Sequence, residues 1–172
     1  MSFSPGQQGK YRPLVNRAWH VHCDRTGQAP NAPLAFRCWY EQQLLDVLGV
    51  PTTRNAGHKA QFEICMLHFA TILGDDREIA YWTSAAERTM KYIINQRLDE
   101  LTWLEQRRHD WHYARGIYKH MNLPLTMEEA PAMCLWKVFQ ALDIHVAREC
   151  RKRKLSVWSL PTRHRKRKAV AS

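Results

Sequence analysis

Apolar residues recur at three- and four-residue intervals along most of this chain, and strand-like alternation is almost absent, so the backbone is expected to be helical throughout. The clearest case is Phe62, Cys65, Met66, Phe69, Ala70 and Leu73, spaced i, i+3, i+4, i+7 and closed by Gly74. Glycine and proline punctuate the rest. A first helix is predicted over 13–25, with Pro13 in its first turn and Gly27 just past its end. "TGQAPNAP" reads as turn, and a second helix is predicted over 34–48, stopped by Gly49. "VPTTRNAGHK" is a loop before the third helix. Asp75 or Asp76 caps a fourth, long helix reaching about Leu104, and Asp110 caps a short fifth one ending at Met121. Thr126 and Glu129 have capping-box spacing, but Pro131 forbids a helix through them, so a turn is expected there. The last helix starts near Pro131, buries Leu135, Val138, Phe139, Leu142, Val146 and Cys150, and runs into basic residues until Pro161.

The expected fold class is therefore all-α: a small bundle of five to six helices over 13–154, after a flexible lead-in over 1–12 and before a basic, flexible C-terminal tail over 155–172. With 172 residues, 45% of them hydrophobic, and seven tryptophans, the chain has enough apolar material for a real core. Five cysteines, at positions 23, 38, 65, 134 and 150, form no paired framework, which suits reduced thiols in a cytoplasmic protein. No apolar run has the length of a membrane span, and "MSFSPGQQGKYRP" does not read as a secretory signal.

The net charge of +10 is unevenly spread. From Arg148 to Ser172 ten Lys/Arg face one acid, for +9, and everything before Arg148 carries +1. Two clusters hold this charge: Arg151, Lys152, Arg153 and Lys154, then Arg163, Arg165, Lys166, Arg167 and Lys168, with Trp158 between them. Six to eight phosphates are within their capacity, which supports non-specific DNA contact, and Trp158 could stack on a base. A nuclear-type address or an anionic docking site fits the same spacing, as does a solubilising extension with no partner.

Catalytic motifs are absent from the sequence: there is no Gly-x-Ser-x-Gly, no Walker loop and no H-E-x-x-H. His20, His22 and Cys23 are neighbours whose i, i+2 positions point apart on a helix. His109 and His112, with His120 further on, share an edge, with no carboxylate or cysteine placed to complete a metal shell. The expectation is no enzyme, no metal and no cofactor. The acidic pairs Asp75–Asp76 and Glu128–Glu129 suit helix N-termini, and Asp99–Glu100 lies on a helix face. In "DWHYARGIYKHM", Trp111, Tyr113, Arg115 and Lys119 form a candidate protein-partner surface, with ordinary packing of an amphipathic helix as the alternative.

Two regions resemble a known family. "WYEQQLLDVLGVPTTRNAGHKAQFEICMLHF" carries Tyr40, Gly49, His68 and Phe69, and "DWHYARGIYKHM" carries Trp111, Tyr113, Ala114, Lys119 and Met121. "LWKVFQALDIHVARECRK" adds Leu135, Leu142 and Arg148. Together they resemble the GemA-type regulatory proteins of Mu-like bacteriophages, over something more than half the chain in pieces, with the tail beyond about Lys154 outside the match. The resemblance implies a non-enzymatic phage or prophage regulator in the bacterial cytoplasm, modulating host or phage gene expression or DNA topology. A host transcription or DNA-topology protein is the implied partner. A helical adaptor that binds proteins only, without nucleic acid, is the alternative.

Overall fold

The computed structural model describes residues 3–53, 59–123 and 125–160. They form six helices: α1 (Pro5–Thr26), α2 (Pro33–Leu48), α3 (Lys59–Leu73), α4 (Asp76–Glu105), α5 (Trp111–His120) and α6 (Ala132–Lys152). A 3-10 turn follows at Val157–Ser159, and no strand occurs among the described residues. The all-α class is as expected. The chain divides into two compact units, Met1–Thr89 and Met90–Ser172, with α4 contributing residues to both.

In the first unit α1 and α2 pack on α3. Phe69 of α3 sits at the centre of an aromatic cluster, with ring centroids 5.7 Å from Tyr11, 5.9 Å from Trp39 and 6.4 Å from Tyr40. Such edge, tilted and stacked pairs each add about 0.5–1.5 kcal/mol beyond the burial of their area. Trp19 Nε1 donates to the Pro30 carbonyl at 2.9 Å, which fixes the turn between α1 and α2. Gly27 ends α1 in the left-handed region at φ 70°, which only glycine adopts without strain.

Within the lead-in expected over 1–12, the chain is helical from Pro5 onward. Ser4 and Gln7 make a reciprocal capping box, Pro5 takes the first turn, and Pro13 lies inside α1. Proline there removes one backbone donor, and burial of Phe3, Tyr11 and Leu14 offsets the cost. The capping box lies in "SPGQ", whose Gly and Pro suggest a loop when read alone.

In the second unit the core is Ile93, Ile94, Leu98, Leu101 and Leu104 of α4, Ala114 and Tyr118 of α5, and the apolar stripe of α6 from Leu135 to Val146. Arg97 is buried within it. Its Nε donates to Asp143 at 2.6 Å, its Nη1 to Glu100 at 3.1 Å, and its guanidinium lies 5.1 Å from the Phe139 ring centroid. Glu100, expected on a helix face, is thus a buried counter-ion.

α6 does not continue to Pro161. It ends at Lys152, Lys154 takes φ 54°, and Leu155 N donates to the Cys150 carbonyl at 2.9 Å. Leu160 is fully buried, and the 3-10 turn packs on α6. The tail expected from residue 155 is therefore folded as far as Leu160. Arg163, Arg165, Lys166, Arg167 and Lys168 lie outside the described residues.

Candidate functional site

A polar cluster of the second unit gathers where the end of α4, the turn after it, α5 and α6 meet. Gln106 takes φ 51° and ends α4. Thr102 Oγ1 then clamps the returning chain, accepting from His109 N at 2.8 Å and donating to its carbonyl at 3.3 Å. This folds the buried His109 ring back over α4, where its Nε2 meets Glu105 at 2.9 Å. Asp110 caps α5 through His112 N, setting the direction in which Tyr113 projects.

Glu105 has a second imidazole. His145 of α6 brings Nε2 to 2.9 Å from Glu105 Oε1, while its Nδ1 lies 2.7 Å from the Tyr113 hydroxyl. Glu149, one turn further along α6, puts a carboxylate oxygen 4.0 Å from the same Nε2. Lys152 Nζ donates to Glu149 Oε1 at 2.6 Å and Arg153 Nη1 donates to Oε2. Those two cations hold the Glu149 carboxyl down at about pKa 2. Burial raises the Tyr113 phenol, and the nearby carboxylates of Glu105 and Glu149 act in the same direction. One ligand-type atom each from Glu105, His145 and Glu149 lies within 4.8 Å of the others.

None of these three was a candidate from sequence. Of the histidines sharing an edge in sequence, His109 is buried on Glu105, while His112 and His120 are exposed. The usable signal was the i, i+4 spacing of His145 and Glu149 on one helix, repeated by Glu105 and His109. At the other end of the chain, His22 stacks on Trp19 with centroids 5.5 Å apart, and Cys23 is buried.

The four residues expected to form a partner surface on α5 divide between two faces. Trp111 and Arg115 line a pocket of about 340 Å³ with Lys91, Asn95, Met127 and Leu135. Arg115 Nε donates to Glu128 there at 2.5 Å, which lowers the Glu128 pKa. Tyr113 turns instead to His145, and Lys119 is exposed. Positions i, i+2 on a helix are about 200° apart, so Tyr113 could not share the Trp111 face.

In the first basic cluster Arg151, Lys152, Arg153 and Lys154 are all exposed, and Trp158 is 64% exposed. The cluster stands at the C-terminus of α6, where positive charge also complements the helix dipole. No family model, curated protein or solved structure matches the chain.

Proposed function

We propose that this chain is a non-enzymatic helical regulator of the GemA-type class, acting in the bacterial cytoplasm on host or phage gene expression or DNA topology. Its near-neutral helical body engages a protein, and its cationic end holds DNA without reading sequence. The supporting observation is the charge asymmetry: +9 of the +10 lies from Arg148 onward, and within its described part Arg151 to Lys154 are exposed, as is Trp158. Counterion release then supplies the affinity, which falls steeply with salt.

An adaptor that binds only proteins is the second reading, favoured by the pairing of Lys152 and Arg153 with Glu149. Retention on immobilised duplex DNA separates the two. The chain truncated after Leu160, with Arg151, Lys152, Arg153 and Lys154 replaced by serine, keeps Leu160 in the core and is expected to lose retention while its helicity persists. Retention in that variant would place DNA binding in the body. Failure of the intact chain to bind even at low ionic strength would favour the adaptor.

A further inference from the structure

We propose that Glu105, His145 and Glu149 form a binding site for a first-row divalent metal ion, zinc being the best suited. The argument for the site does not rest on the cationic end's role with DNA, although Lys152 and Arg153 belong to both. One imidazole nitrogen and two carboxylate oxygens are a donor set that zinc accepts, with three protein ligands leaving a fourth position for solvent. Zinc–ligand bonds of about 2.0–2.2 Å in a tetrahedral site place ligand atoms roughly 3.3–3.6 Å apart. The separations of His145 Nε2 from Glu105 and Glu149, 2.9 and 4.0 Å, bracket that spacing, and all three ligand atoms lie within 4.8 Å of one another, so modest side-chain adjustments close the shell.

The scaffold around the three is what such a site needs. His145 and Glu149 stand one turn apart on α6, an i, i+4 clasp that presents both donors on the same side of one rigid helix. Glu105 enters from the last turn of α4, so the ligands come from two elements separated in sequence. His145 already has its outer partner: with Nε2 given to the metal, Nδ1–H donates to the Tyr113 oxygen across 2.7 Å and fixes the ring. His109 performs the same service for the other oxygen of Glu105. Glu105 and His145 are partly exposed, with side-chain exposures of 18% and 25%, so an ion has a route in to the buried Glu149.

Glu149 is held by two competitors. Lys152 and Arg153 neutralise it now, and both are side chains at the helix end with solvent to move into, 63% and 37% exposed. Metal binding displaces them, and their removal strengthens it. An ordinary structural ion-pair network would show the opposite, with no gain of affinity for anything when its cations are lost.

The test is titration of the full-length chain, stripped of metal by chelator and then dialysed free of it, with Zn²⁺ in a non-coordinating buffer by isothermal calorimetry. Co²⁺ serves as a spectroscopic probe of the ligand set. The expected result is one ion per chain, with Co²⁺ d–d bands and no thiolate charge transfer, which excludes the five cysteines as its ligands. Glu149→Gln and His145→Ala weaken binding at least tenfold, Tyr113→Phe weakens it about tenfold, and Lys152→Ala/Arg153→Ala tightens it. Because the last variant strips two cations from the buried Glu149, its helicity is checked by circular dichroism alongside the titration. No stoichiometric binding at micromolar Zn²⁺, a thiolate signature, or affinity unmoved in the Lys152→Ala/Arg153→Ala and Glu149→Gln variants would overturn the site.

Discussion

The Tyr113 hydroxyl and His145 Nδ1 meet at 2.7 Å across 32 positions of sequence, joining α5 to α6 through a single polar contact. Because His145 also meets Glu105, which meets His109, this contact anchors three helices to one another. Tyr113→Phe keeps the ring packing and deletes the bond, so it is expected to cost about 1 kcal/mol, read as a lower urea midpoint with unchanged helicity. A midpoint equal to the parent's would mean that the contact adds nothing to stability.

Arg97 makes a larger claim. Glu100 is 1% exposed and pairs with the Arg97 guanidinium. Arg97→Ala leaves a carboxylate buried beside a cavity and is expected to cost about 3–5 kcal/mol. Replacing Arg97 and Glu100 together by apolar residues of similar volume is expected to cost much less. Chemical denaturation of both variants checks this, and a single substitution milder than the double one would refute it.

The first unit holds a pH-sensitive group of known sign. Burial of His68, which bonds Gln43 at 2.9 Å, lowers its pKa, and Asp46 opposes the shift only in part. The unfolded chain, with an ordinary histidine near 6.5, therefore takes up a proton that the folded chain refuses. Stability contributed by neutral His68 is complete above that value and declines as pH falls below it, until the lower folded pKa is reached. His68→Gln is expected to lose less stability than the parent between pH 7 and pH 5. Equal losses in the two proteins would show that His68 is solvated.

Ser4→Ala tests the start of α1. Removing the hydroxyl that accepts from Gln7 N is expected to destabilise the first unit by about 1 kcal/mol. A neutral substitution would mean that residues before Pro13 contribute no helix stability.

Most helix boundaries were legible because the devices that set them are local. Gly49 and Gly74 stop helices at positive φ, and Asp75 and Asp110 accept from the first free amides of α4 and α5. The exceptions are equally physical. A capping box hidden in a Gly/Pro stretch extends α1 to Pro5, and the left-handed turn at Lys154 ends α6 where basic residues gave no stop signal. Glu105 with His145 was not legible at all, since their proximity depends on how α4 and α6 pack, which periodicity does not encode. On α5 the i, i+4 spacing places Trp111 and Arg115 together at one pocket, and Tyr113, two positions from Trp111, turns to His145.

The central claim is that the cationic end, and not the body, meets phosphates. The most direct measurement is anisotropy of a labelled non-specific duplex as a function of salt, for the intact chain and for the variant with Arg151, Lys152, Arg153 and Lys154 replaced by serine. The intact chain is predicted to show log K falling against log salt with a slope of about −5 to −7, and the variant a slope shallower by about 3–4. Identical slopes in the two proteins, or an affinity indifferent to salt, would contradict the account.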